Sequence, residues 1–348
     1  MKKSLSILLS IGILLLSVPA FASSLIASEE IAALSDEAYE AAYASEPASQ
    51  RAIHIGYDGG LCQAAIPIAQ EKGFFAAEGL TTELTRSESA RDALAAGKLD
   101  TSAGMIAAWL VPIRNGVDIV FTVGLHTGCA SAVVLADSDI QSFDDVKGGN
   151  IAITGGIGGV YHNIGYRFVA HDGFKATDFQ WRDFPADQLL LVLQRDEAKA
   201  AILSDQIAEN WVQEGSVRRI RSLALDDDFV RESCCVLGIS GQFLRENPVA
   251  SDKIARAVYN ASVWIQESEE NRKEAAQILL DNGHISGTVE YALSLLNLYQ
   301  FGLDNSITEK SLYDSVDEYK ALGVLDAETD PDALKEQIWW APDLSRGN

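Results

Sequence analysis

The chain has 348 residues, of which 47% are hydrophobic and only eight are proline, and that composition excludes a disordered or low-complexity protein. Its 50 acidic residues outnumber 27 basic ones, for a formal charge of −23, which disfavours nucleic acid and anionic lipid as partners. The four cysteines are too few for a disulfide scaffold, and no pair has zinc-finger spacing.

Met1-Lys2-Lys3 is a basic head, Leu5 to Val18 is almost wholly apolar, and Ala20-Phe21-Ala22 fits a small-x-small cleavage site. These features predict a secretory signal peptide over residues 1–22 and a mature N-terminus at Ser23. The apolar run is shorter than the roughly 20 residues a membrane span needs. No cysteine follows the cut, so a lipid anchor is not expected. Removal of Lys2 and Lys3 takes the charge to −25, and the 326 residues that remain exceed what one core serves, which predicts two lobes. The expected location is the periplasm, with no insertion into the membrane.

Residues 23–50 read as an Ala-, Glu- and Ser-rich leader with one helix near Ser35 to Ala44 and no chemistry of its own. Strand Ile53–Gly56 then runs into helix Ala64–Lys72. Strands at Thr82–Thr85, Leu99–Ala103 and Ile119–Gly124 alternate with helices at Asp92–Ala96, which stops at Gly97, and Ile106–Asn115. The apolar run Ser131–Ala136 carries the chain into a second lobe. There the alternation repeats from Ile151 to about Leu225, and Val236–Ile239 brings the chain back. The remainder is mostly helical, with amphipathic signals at Ala250–Gln266 and Lys273–Leu280. Alternation of this kind predicts mainly parallel sheets flanked by helices, with two antiparallel hinge strands between the lobes. The expected division is 51–130 plus 240–348 for lobe 1 and 131–239 for lobe 2.

One pattern occurs twice. Ile53-His54-Ile55-Gly56 leads into Gly59-Gly60-Leu61-Cys62 and a helix ending at Gly73-Phe74, and Ile151-Ala152-Ile153 leads into Gly155-Gly156-Ile157-Gly158-Gly159 and a helix ending at Gly173-Phe174. Each copy offers backbone N–H groups near a helix N-terminus, which suits an electron-rich head group in a cleft between lobes. The alternative is a pair of tight βα turns. Gly156-x-Gly158-x-x-Tyr161 lacks the last glycine of a dinucleotide fingerprint.

Cys62 and Cys129 each follow a Gly-rich turn, Cys234-Cys235 precede a strand, and His126 and His162 lie nearby in the pattern. Thiolate with imidazole suits soft metals or iron clusters. The alternatives are buried thiols or a disulfide such as Cys62–Cys129. On an extended strand Cys234 and Cys235 point to opposite faces, so one at most faces the cleft. Tyr57, Trp109, Tyr161, Trp181 and Trp211 are candidates for stacking on a ligand or for core packing, and Trp339-Trp340 for packing the tail helix. No Gly-x-Ser-x-Gly elbow is present.

The stretch Ile66-Pro67-Ile68-Ala69-Gln70-Glu71-Lys72-Gly73-Phe74-Phe75-Ala76-Ala77-Glu78-Gly79-Leu80 resembles the opening helix of periplasmic solute-binding proteins for sulfonates, taurine and nitrate, a group that includes proteins similar to thiamine-pyrimidine synthases. The resemblance continues, in order, through Ala93-Leu94-Ala95-Ala96-Gly97-Lys98-Leu99-Asp100, Asp144-Asp145-Val146-Lys147-Gly148, Phe243-Leu244-Arg245-Glu246-Asn247-Pro248 and Leu322-Gly323-Val324-Leu325-Asp326. It implies an α/β two-lobed periplasmic-binding-protein fold of type II. The implied function is that of the substrate-binding component of an ABC transporter, a monomer without a cofactor that takes a small organic ligand by hinge closure and passes it to a permease and ATPase. The ligand would be anionic, heteroaromatic, or metal- or thiol-linked. Gln194-Arg195-Asp196-Glu197-Ala198-Lys199 departs from the Gly-x-x-Asp-Ala pattern the family repeats in its second lobe, which leaves the fold intact but weakens any carry-over of ligand contacts from that loop. The expected ligand-binding residues are Gly59, Gly60, Cys62, Met105, His126, Cys129, Gly156, Gly158, His162, Asn163 and Cys234. The runner-up functions are a pyrimidine-synthase-like enzyme using His, Cys and a metal, and a sensor subunit for a signalling receptor.

Overall fold

The structure is a computed structural model that describes residues 28–346. The expected signal peptide, its cleavage site and Ser23 lie outside the described residues. No helix among the described residues is long and apolar enough to cross a membrane.

Ten strands among these residues build two five-stranded sheets. The first holds β1 (Ile53–Tyr57), β2 (Thr82–Arg86), β3 (Thr101–Met105), β4 (Ile119–Thr127) and β10 (Ser233–Ser240), in the order β2-β1-β3-β10-β4. The second holds β5 (Ala130–Leu135), β6 (Asn150–Ile153), β7 (Gln180–Asp183), β8 (Ala200–Ser204) and β9 (Val217–Ser222), in the order β7-β6-β8-β5-β9. Strand β1 pairs parallel with β2 and β3, and β6 pairs parallel with β7 and β8. One strand in each sheet runs antiparallel to its neighbours, β10 between β3 and β4, and β5 between β8 and β9.

The two lobes therefore share one topology and exchange a strand. Each lobe's last parallel strand, β4 or β9, hands the chain to the antiparallel strand of the other lobe's sheet. The sequence reading placed the return crossing at Val236–Ile239, within lobe 2. That segment lies instead inside the first sheet, paired with β3 and β4. An apolar run signals a buried strand but not which sheet buries it. The crossings are the short links Gly128-Cys129 and residues 223–232.

Both faces of each sheet are covered, and burial follows the two-residue period of a strand except where the β4–β10 pairing shifts register. In the first sheet Val120, Val123, Leu237 and Ile239 enter one core, while Ile119, Phe121 and Val236 enter another with Trp109 and Ile113. In the second, Ile151 and Ile153 face one core and Ala152 the other.

The leader that the sequence left without a role is docked on the long helix Pro248–Glu267. Glu46 accepts hydrogen bonds from the N–H groups of Val249 and Ala250 (2.7 and 2.8 Å), closing two open donors at that helix's N-terminus. Buried Arg256 donates to Glu78, Asp252, Tyr39 and the Asp343 carbonyl, and so ties leader, helix and tail together.

Candidate functional site

A cleft of about 760 Å³ opens between the lobes. The first lobe supplies Asp58, Gly59, Gly60, Cys62 and Met105, and the second supplies Thr154, Gly155, Tyr161, Ser204 and Gln206. These residues stand at or just beyond the C-terminal ends of β1, β3, β6 and β8, where ligands bind in parallel α/β sheets.

The first glycine loop is closed on itself. Asp58 accepts from the Gly60 N–H at 2.7 Å, and its own N–H donates to Gln63 at 2.8 Å. Gly59 has φ +89°, and a Cβ there would lie 2.4 Å from the Arg86 Nε, so glycine lets Arg86 pack over the turn. Gly59 and Gly60 line the cleft, but the Gly60 amide is already used and does not wait for an anion. What this loop presents is the Asp58 carboxyl, which burial and then the neighbouring Cys62 push up to about 6.

The second loop is fastened in the same way. The Gly156 N–H donates to Asp183 at 2.8 Å, and the Gly158 N–H donates to His162 Nδ1 at 3.0 Å. Asn163 donates to the carbonyls of Gly158 and Ala107. Burial lowers the pKa of His162, whose ring packs against Tyr166 and Trp181. Gly156, Gly158, His162 and Asn163 thus shape the loop, while Gly155 and Thr154 reach the cleft wall. The loop is half-exposed to exposed over residues 154–159, and its Gly156 and Gly158 amides are already bonded to side chains of its own lobe.

The floor of the cleft is different in kind. The Sγ atoms of Cys62, Cys129 and Cys235 and a ring nitrogen of His126 all lie within 4.8 Å of one another. Cys129 Sγ is 3.1 Å from Cys235 Sγ and 3.6 Å from His126 Nε2. All four cysteines are unbonded thiols, so the Cys62–Cys129 disulfide is not formed. The strand exchange creates this meeting. His126 is the penultimate residue of β4, Cys129 sits in the first crossing, Cys235 is the third residue of β10 beside the second, and Cys62 lies in the turn Leu61–Gln63 that follows β1. Register places Cys235 opposite both His126 and Met105.

Cys235, fully buried, therefore takes the place the sequence reading gave to Cys234. Cys234 lines a small neighbouring cavity with Arg167, Glu232 and Tyr319. The alternation of the strand assigns the two thiols to different faces, and only the pairing register says which is which.

His126 Nδ1 lies 2.5 Å from the Thr127 carbonyl oxygen. A carbonyl accepts only, so Nδ1 carries a proton, and Nε2 is the ring nitrogen turned toward the sulfurs. The Tyr299 ring packs on the imidazole at 4.5 Å between centroids. Cys129 has φ 108°, in the region that a side chain disfavours. A reciprocal pair of bonds with fully buried Asp205 holds it there: the Cys129 N–H donates to the carboxylate at 3.0 Å, and the Asp205 N–H donates to the Cys129 carbonyl at 2.9 Å. Ser131 Oγ–H donates to the other carboxylate oxygen at 2.5 Å. Hydrogen bonds from Cys129 and Cys235, with help from His126, hold Cys62 well below the ordinary thiol range, while burial pushes Cys129 and Cys235 well above it.

The sequence reading allowed one of Cys234 and Cys235 to face the cleft but named Cys234, and it missed Asp58, Arg86, Asp205 and Tyr299. Asp58 and Arg86 follow or end the parallel strands β1 and β2, a position that could have signalled them. Asp205 and Tyr299 carry no local signal.

None of the curated proteins matches the sequence. Among solved structures, the fold is similar to the alkanesulfonate-binding protein SsuA from Xanthomonas axonopodis pv. citri bound to MOPS, with TM-score 0.67 and 16% identity, covering 85% of this chain and 99% of that one. It is similar to the periplasmic nitrate-binding protein NrtA from Synechocystis PCC 6803, with TM-score 0.65, 19% identity and coverage of 83% and 86%. A ligand-binding component of an ABC-type import system from Staphylococcus aureus, with zinc bound, matches at TM-score 0.65 and 14% identity, with coverage of 85% and 98%. These likenesses show the two-lobed periplasmic-binding-protein fold. The sequence itself matches the NMT1-like family over residues 46–280, about two-thirds of its length, and the chain belongs to that family.

Proposed function

We propose that this protein is the extracytoplasmic solute-binding component of an ABC importer, a monomer that captures a small solute in its interlobe cleft and passes it to a permease and ATPase. One observation carries the proposal. A cleft of about 760 Å³ is walled by two lobes of identical strand order that are linked by short crossings. Such an arrangement lets one lobe rotate against the other and cover what the cleft holds. The volume falls in the range of small-molecule sites, roughly 300–1,000 Å³. The fold neighbours described as sulfonate-binding, nitrate-binding and import components support the same reading.

A sulfonate or nitrate is not carried over to this chain. Arg86 and Arg91 line the cleft, but Asp58, Glu88 and Asp92 line it too, so no uniform positive field invites an anion. The test starts from the mature chain purified from its own producing cells. Mass spectrometry identifies the solutes released on denaturation, and each is added back while small-angle scattering is recorded. The expected result is a bound solute and a smaller radius of gyration at saturation. Absence of any solute, or an unchanged radius with one bound, would argue for a rigid pocket and against the importer role.

A further inference from the structure

From the convergence of Cys62, His126, Cys129 and Cys235, we infer that the cleft floor is a Cys3His site for a thiophilic metal ion of the Cu(I) or Zn(II) class, which enters through the cleft. The donor set is soft: three sulfurs and one imidazole nitrogen, with no carboxylate among them. Sulfur and imidazole together select copper or zinc and reject hard cations such as magnesium or calcium. The spacing is close to what an ion needs. Tetrahedral sulfur ligands at about 2.3 Å from zinc lie roughly 3.8 Å apart, and the donor atoms here fall within 4.8 Å of one another, with the Cys129 and Cys235 sulfurs 3.1 Å apart.

Three further features are those of a held ligand set. His126 has its Nδ1–H anchored on the Thr127 carbonyl, the outer contact that fixes the tautomer and aim of a metal-binding imidazole. Cys129 is kept at φ 108° by Asp205, itself buried and bonded to Ser131, so a strained backbone is maintained where one thiol joins the others. Cys62, Cys129 and Cys235 also line the cleft, which provides the path of entry. As an ion binds, each coordinating sulfur that still carries a proton releases it to solvent, and His126 contributes the Nε2 lone pair. Four protein donors leave no open position on a tetrahedral ion, so the site is built to hold a metal and not to turn over a substrate on it.

The inference rests on the cleft reading above only for the route of entry. Its test uses the reduced mature chain, freed of metal, with no organic solute present. Zn(II) and Cu(I) are titrated separately, and Co(II) serves as a coloured probe of thiolate ligation. One equivalent of metal is expected, with strong cobalt–thiolate charge-transfer bands. Cys62→Ser, Cys129→Ser, Cys235→Ser and His126→Gln should each weaken binding by more than the roughly 10–100-fold that loss of an outer contact costs. X-ray absorption of the zinc-loaded wild-type chain requires no substitution, and should show sulfur scatterers at about 2.3 Å with nitrogen at about 2.0–2.1 Å. A shell of oxygen and nitrogen alone would overturn the assignment, as would a native Cys129–Cys235 disulfide together with no metal uptake after reduction. A loss in Cys234→Ser equal to that in Cys235→Ser would overturn the ligand set. A chain that binds metal but never closes on a solute would count against the importer role alone, and one that closes yet takes no metal would count against the metal site alone.

Discussion

Burial lowers the pKa of His162 below its ordinary value of 6.5, and the neutral ring accepts the Gly158 N–H. A depressed histidine contributes stability above about pH 6.5 and loses it as the pH falls through the folded-state value. Hydrogen exchange at Gly158 should therefore lose protection as the pH drops below the ordinary histidine value of 6.5, ahead of the surrounding helix. His162→Asn places an amide oxygen near the Nδ1 position and should make that protection independent of pH in the same range; continued pH dependence would place the switch elsewhere. Glu46 offers a second test at this level. Its carboxylate serves two buried N–H groups at a helix start, and Glu46→Ala should lower stability by about 2–4 kcal/mol, read by urea denaturation. A loss under about 0.5 kcal/mol would mean that water replaces the carboxylate there.

The helix Val160–His171 positions the second loop, and its midpoint is Gly165. A Cβ at that point would lie 2.6 Å from the Trp181 ring and 2.7 Å from Ile202 Cδ1, so glycine allows helix and sheet to touch. Two effects oppose each other in Gly165→Ala. Helix propensity favours alanine by about 1 kcal/mol, and overpacking costs about 1–3 kcal/mol. The clash is with a rigid indole, so net destabilisation is expected, measured as a lower melting temperature; a rise would show that Trp181 moves aside. Among elements, the sequence pattern was most legible where one period dominates. Strands β1 and β2 and the helices at 65–71 and 106–114 lie within a few residues of expectation. The pattern could not say that β10 belongs to the first sheet, because pairing partners are set by the packing of the whole lobe.

Across the whole molecule the lobes are linked by more than their crossings. Arg167 of the second lobe donates to Glu318 on the C-terminal helix Asn305–Ala321 at 2.7 Å, and to Glu232 at 2.8 Å. His171 lies 3.0 Å from the same Glu318. The Arg167 side chain is 7% exposed, and breaking a buried pair costs up to about 3–5 kcal/mol, reduced here because Glu232 remains. Glu318→Gln should loosen the contact between lobes and enlarge the solute-free radius of gyration in small-angle scattering. An unchanged radius would show that the crossings alone set the angle between lobes. Gln213–Ser294 and the Tyr291 hydroxyl on the Gln206 carbonyl are a second set of contacts between lobe 2 and the C-terminal helices.

What followed from the sequence alone was the local order: alternating strands and helices, two similar glycine-loop openings, and thiols placed beside turns. Those depend on residue period and turn chemistry within a few positions along the chain. The tertiary structure alone decided which sheet receives β10, that Cys235 and not Cys234 meets Cys62, His126 and Cys129, and that the glycine-loop amides bond inward to Asp58, Asp183 and His162. Each of these turns on register or on a partner far away in the chain. A shift of one residue in register moves every side chain of a strand to its other face, and nothing within β10 itself specifies that register.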